Sequence, residues 1–223
     1  MAVSKTQHVV VVGAAGAIGR LVAVDLLRKG HEVSAVVRSP GKFQDLDVTR
    51  ELTTDQAQRL RIVQADARDA ATLTTVITPK SIVVTAFGVS KRRSNGLFAE
   101  AAVAIVDAMR CCGAARVIAI TSSGVRADDH ELAAWYRLLV RPLLRDVYED
   151  MARMEQIFTN AELEWCFVRP VFLTDREGED PPRIEDAQTP AGGRTVSRGA
   201  VARFIVGEIE SRRWTRKAPT LAV

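Results

Sequence analysis

The glycine-punctuated turn Gly13-Ala14-Ala15-Gly16-Ala17-Ile18-Gly19 sets the tightest limit on how this chain folds. It follows an apolar, β-branched run at 8–12. It opens a stretch, 17–29, in which Ile18, Leu21, Val22 and Leu26 recur at helical spacing until Gly30 stops it. A short apolar run bounded by glycine reads as a strand buried on both faces, and such a strand needs a helical crossover to reach a parallel neighbour. Glycine after the last helical residue is the usual left-handed stop.

The same alternation continues. Strands are predicted at 32–37, 61–64, 81–85, 116–120 and 164–168, with a short one at 194–196, and helices at 70–77, 95–112 and 199–211. Residues 131–159 read as helix with a break at Pro142, which lacks an amide donor. Residues 41–59 form a polar excursion with a short helix near 54–59. The acidic, proline- and glycine-rich segment 174–193 reads as a loop or lid, and 219–223 as a last edge strand. Right-handed crossovers then give an α/β fold, a doubly wound parallel sheet of Rossmann type in three α/β/α layers. A length of 223 residues suits one such domain over 1–223, with small C-terminal elements on the substrate side.

Composition narrows the setting. Charged residues make up 26% and apolar residues 47%, the balance of a globular chain rather than a disordered one. No apolar run approaches the roughly 20 residues that span a bilayer, and the opening MAVSKTQ lacks the core of a secretory signal, so a cytoplasmic address is expected. Net charge is +4, and the clusters Lys91-Arg92-Arg93, Arg212-Arg213 and Arg216-Lys217 read as solvated surface. Neither nucleic acid nor membrane is expected as a partner, and the oligomeric state is expected to be a monomer or weak homodimer. Cys111, Cys112 and Cys166 show no metal-ligand spacing and read as reduced, small core residues. No metal is expected.

The turn itself is built for a phosphate. Its glycines allow a tight bend, close approach of backbone to an anion and close helix–strand packing, while the first helical amides face the ligand. Gly13, Ala15, Gly16, Ala17, Ile18 and Gly19 are thus candidate cofactor contacts. After the second strand stands Arg38, followed by Ser39. An acid there would accept from a ribose 2′-hydroxyl, whereas a guanidinium grips a 2′-phosphate, so NADPH is expected over NADH. Asp66, after the third strand, either accepts the adenine amino group or caps the helix beginning near Asp69, with Ala67 beside the ring. Ala86, Phe87 and Gly88, at the end of the fourth strand, are expected beside the adenosine ribose.

GAAGAIG, VVRSP, QADARD, AITSSG, YEDMARMEQIFTNAELEWCFVRP and GRTVSRGAVARFIVGEIE together resemble the atypical short-chain dehydrogenase/reductase branch. That branch contains NAD(P)H-binding proteins of the biliverdin reductase B (flavin reductase) and NmrA-like types. The resemblance implies NADPH along the C-terminal edge of the sheet and a substrate cleft above the nicotinamide. It places Ser122, with Ser123 beside it, at the superfamily's catalytic-loop serine, and Arg169 and Pro170 beside the cofactor. Tyr148 is the candidate catalytic tyrosine, but the Tyr-x-x-x-Lys pair is missing: Ala152 follows Tyr148 at the lysine offset, Val140 follows Tyr136, and no lysine lies between Lys91 and Lys217. Without a lysine to lower its pKa, a phenol is a poor donor to an alkoxide.

A planar conjugated acceptor, such as a flavin, quinone or tetrapyrrole, needs no tuned donor, because its reduced anion is delocalised and solvent protonates it. The expected function is therefore NADPH-dependent hydride transfer to such a small molecule. A non-catalytic NADP(H)-binding redox sensor is the alternative, and an NAD(P)-dependent epimerase or isomerase a third. Phe87, the 89–94 loop, Trp135, Arg169, Phe172 and the 173–176 stretch are candidates for the cleft wall, with Lys91, Arg92 and Arg93 attracting an anionic tail.

Overall fold

The computed structural model describes residues 6–45, 52–89, 92–132, 135–176 and 181–223. Parts of the opening segment, the polar excursion, the 89–94 loop including Lys91, and the 174–193 stretch thus lie outside the described residues. The strands are β1 (His8–Val12), β2 (Glu32–Val37), β3 (Leu60–Gln64), β4 (Ser81–Thr85), β5 (Arg116–Ile120), β6 (Glu164–Pro170), β7 (Phe172–Thr174), β8 (Arg183–Asp186), β9 (Thr195–Ser197) and β10 (Pro219–Ala222). The helices are α1 (Ala17–Arg28), α2 (Pro40–Asp45), α3 (Thr54–Ala57), α4 (Ala70–Thr74), α5 (Leu97–Cys112), α6 (Arg141–Leu143), α7 (Arg145–Asn160) and α8 (Arg198–Ser211).

The main sheet runs β3-β2-β1-β4-β5-β6-β10-β8. Its neighbours pair parallel except β8, which runs antiparallel to β10. Both faces are covered, so β1 alternates into two cores: Val9 and Val11 pack on one side and Val10 and Val12 on the other. On the first side α1 packs on α8, and on the second α5 packs against α4 and α7. The chain leaves β1 in one direction to β2 and β3 and in the other to β4 and β5. That reversal opens a crevice at the carboxyl ends of β1 and β4, where open α/β sheets hold ligands.

Four expectations change. The 219–223 strand is not at the edge: β10 lies between β6 and β8. Residues 183–186, inside the expected loop or lid, form the edge strand instead, and Thr189 is pinned by its amide and hydroxyl to Asp129 at 3.0 and 2.7 Å. The predicted 131–159 helix divides into a π turn at Tyr136–Val140, then α6 and α7. Pro142 sits in the first turn of α6, where its missing amide costs nothing, and the break falls at Leu144. Cys166 is buried as expected, but adjacent helical positions cannot both face a core, and Cys111 is exposed with Cys112 half-buried.

Candidate functional site

The turn after β1 is fixed by its own backbone. The Gly13 amide donates to the Val36 carbonyl at 3.0 Å and the Gly16 amide to the Gly13 carbonyl at 2.9 Å. Gly13 has φ +89°, and a Cβ there would lie 2.6 Å from the Phe87 amide nitrogen. A Cβ at Gly19 would lie 2.4 Å from the Gly13 carbonyl oxygen. Side chains at these two positions would drive β1, α1 and the loop after β4 apart.

Gly16 caps α1 without any side-chain bond, and the first turn carries no acid. The first amides of a helix lack internal partners, so with the positive end of the dipole they are available to an anion. Before this helix end lies a cleft of about 510 Å3. It brings together Gly13, Ala15 and Gly16 of the turn with Arg38 and Ser39 beyond β2, Asp66 and Ala67 beyond β3, and Phe87 and Gly88 beyond β4. The volume suits a bound nucleotide portion. Of the other expected contacts, Ala17 is exposed at the start of α1, Ile18 and Gly19 are buried in it, and Ala86 is half-buried behind the turn. A wider trough of about 1080 Å3 opens near His8, at the opposite end of β1 from the glycine turn. Its size does not outweigh the glycine turn and helix terminus of the smaller cleft.

Phe87 stacks on Phe98 with ring centroids 5.7 Å apart, giving the cleft a flat apolar wall. Arg38 is exposed at the rim, its position steadied where Gln64 Nε2 donates to its carbonyl at 3.4 Å. Asp66 is differently engaged from expectation. Its Oδ1 accepts from Arg68 Nε at 2.8 Å and its Oδ2 from Arg68 Nη2 at 3.2 Å. The Arg68 guanidinium holds its carboxyl below the ordinary carboxylate range. The helix cap is Asp69, whose Oδ1 accepts from the Thr72 amide at 3.0 Å. Arg68 escaped the sequence reading, although its i, i+2 spacing from Asp66 was visible.

Ser122, Tyr148, Arg169 and Pro170 lie outside the residues lining this cleft. Ser122 is half-buried at the end of β5, and its Oγ accepts from the Gly124 amide at 3.2 Å. Tyr148 is buried on α7, its ring packed so closely on Gly124 that a Cβ there would lie 2.5 Å from Cζ. Its hydroxyl hydrogen-bonds the hydroxyl of Tyr136. Burial, then the Tyr148 hydroxyl, push the Tyr136 phenol above its ordinary value. Arg169 is engaged within the protein. Arg169 is 8% exposed and faces Glu155, with Nε to Oε1 at 3.0 Å and Nη2 to Oε2 at 2.5 Å. Thr121 Oγ1 also donates to Glu155 Oε1 at 2.8 Å. No spacing signals a pairing between residues of a helix and a later strand, so Glu155 and Thr121 were not foreseen.

A family model described as NAD(P)H-binding matches residues 13–212. A relative in Bacillus subtilis (strain 168), the uncharacterized protein YwnB, is 25% identical over 174 residues, covering 76% of this chain and 74% of its own. Among solved structures, a wide-type short-chain dehydrogenase/reductase from Veillonella parvula in complex with NADP aligns with TM-score 0.76 at 15% identity, over 98% of this chain and 95% of the other. ChuY, an anaerobilin reductase from Escherichia coli O157:H7, aligns with TM-score 0.76 at 18% identity over 97% of each chain. At these identities the two structures establish a shared Rossmann fold.

Proposed function

Because the chain belongs to the family of NAD(P)H-binding proteins, we propose that it is an NADPH-dependent reductase passing hydride to a planar conjugated acceptor such as a flavin, quinone or tetrapyrrole. The observation that carries this reading is the mutual engagement of Tyr136 and Tyr148. No lysine lies between Lys91 and Lys217, and burial, then the Tyr148 hydroxyl, hold the Tyr136 phenol above its ordinary value, away from the range in which it protonates an alkoxide. A carbonyl acceptor would need that proton, whereas a delocalised one takes it from solvent. The fold likeness to a protein named an anaerobilin reductase supports a tetrapyrrole among the candidates.

The bound cofactor supplies the hydride, and the protein binds and orients. The turn and the first amides of α1 would hold the pyrophosphate, Arg38 with Ser39 would hold the 2′-phosphate, and Ala67, Ala86 and Phe87 would pack against the adenosine. Ser122, its lone pair engaged by the Gly124 amide, would have its hydroxyl proton left to donate to the carboxamide or the acceptor. Purified protein is expected to oxidise NADPH with flavins, quinones or biliverdin far faster than buffer, and not with simple ketones or aldehydes. Tight NADPH binding without turnover on any of them sinks the reductase reading and favours a redox sensor, which two mutually satisfied hydroxyls also fit.

Arg38→Asp is expected to weaken NADPH binding by about 2 kcal/mol, roughly thirtyfold, through loss of charge-assisted bonds, and to leave NADH binding nearly unchanged. Calorimetry with both coenzymes checks this, and equal losses refute the phosphate role. Tyr148→Phe is expected to keep turnover within about threefold and to cost about 1 kcal/mol of stability, since only one hydroxyl pairing is removed. A collapse of kcat at normal NADPH affinity would identify Tyr148 as a proton donor after all.

A further inference from the structure

Exposed large apolar side chains are concentrated in one short stretch. Trp135, Leu138, Leu139 and Leu143 are exposed by 61, 74, 65 and 57%. Single exposed leucines are ordinary, but a contiguous group on a protein surface marks a contact site. The spacing 135, 138, 139, 143 is that of one helical face, while Arg137, Arg141 and Arg145 recur every fourth residue on another. No acid occurs between Trp135 and Arg145.

The stretch is fastened from beneath by its polar groups. Tyr136 reaches the Tyr148 hydroxyl, and Arg141 Nε donates to the Gly124 carbonyl at 3.3 Å. It therefore stands as a ledge with its leucines outward. More positive charge gathers at its end. The Ser94 amide and hydroxyl donate to Asp146 Oδ2 at 2.7 and 3.0 Å, which brings the exposed Arg92 and Arg93 beside the start of α7 and leaves Asp146 engaged. Arg145 pairs with Glu149 at 2.6 Å, an exposed pair that exchanges partners at little cost.

We propose that this ledge docks the protein onto an anionic lipid bilayer, with Trp135 and the leucines entering the boundary between headgroups and acyl chains and the exposed Arg92, Arg93, Arg137 and Arg145 meeting lipid phosphates. An apolar face carrying Trp and Leu beside a basic face is the pattern of an interfacial helix. A second copy of the chain fits less well. A two-fold contact sets a patch against itself and would bring two basic stretches without acids close together. No spanning segment is involved: among the described residues no helix is long and apolar enough to cross a membrane. The expectation of no membrane partner rested on whole-chain composition and on the absence of a spanning apolar run, neither of which addresses surface docking by a short stretch.

Sedimentation with vesicles of equal parts phosphatidylglycerol and phosphatidylcholine tests the proposal without reference to catalysis. The protein is expected to bind them, about tenfold or more tightly than vesicles of phosphatidylcholine alone, and to be released by salt. Leu138→Glu with Leu139→Glu is expected to weaken binding about tenfold or more at an unchanged melting temperature, since both side chains are exposed. Failure of the unaltered protein to bind the anionic vesicles overturns the proposal, as does undiminished binding of the double variant. A dimer in analytical ultracentrifugation that the double variant dissociates overturns it in favour of self-association.

Discussion

Gly13→Ala is expected to weaken NADPH binding by about a hundredfold or more, because the substitution fails twice at one position. With φ at +89° the residue sits in the left-handed region, which costs an L-residue roughly 1–2 kcal/mol. The added Cβ would also stand 2.6 Å from the Phe87 amide nitrogen and 2.7 Å from its Cα. Those are backbone atoms, which no rotamer change can move aside. Relief requires the loop after β4 to separate from the turn after β1, and both segments line the cleft. A misplacement of about 1 Å in a positioning element is enough to cost on the order of a hundredfold. Calorimetry with NADPH, beside a thermal melt of the same sample, checks the result. Affinity within about threefold of the unaltered protein would mean that the turn does not position the cofactor.

What could be read from the sequence follows from how local each signal is. The run at 8–12 matches β1 residue for residue, because a both-faces-buried strand must be continuously apolar and glycine must end it. The cleft residues of the turn, and Arg38 beyond β2, were legible for the same reason: each sits at a fixed offset from a strand end. Long-range pairings were not. β8 is written in an acidic, proline-flanked segment with no strand pattern of its own, and pairing with β10 is what makes it a strand. Its presence moves β10 from the edge to the interior. Asp66, Tyr148 and Arg169 were singled out from the sequence as candidate site groups. Their partners Arg68, Tyr136 and Glu155 decide where those groups point, and only the first lies close in sequence.

The pairing of Arg169 with Glu155 carries the second large expectation, that Arg169→Met destabilises the protein by about 3–5 kcal/mol. Both partners are buried, at 8% and 7% exposure. Removing the guanidinium leaves a carboxylate away from water with, among the described residues, only the Thr121 hydroxyl to donate to it. The exposed Arg145–Glu149 pair makes the contrast: its removal is expected to cost about 0–1 kcal/mol, since both ions return to water. For a chain of this size, each kcal/mol lowers the melting temperature by roughly 2–4 °C. The single variant is therefore expected to melt on the order of 6–20 °C lower. Glu155→Gln combined with Arg169→Met should recover much of the loss, because replacing a buried pair by neutral groups is often nearly free. Urea unfolding of the two single variants and the double gives the coupling directly. A cost below about 1 kcal/mol for Arg169→Met would mean that the pair is hydrated and the guanidinium available to the cleft. In that case the bond to Glu155 does not hold Arg169 away from the cofactor.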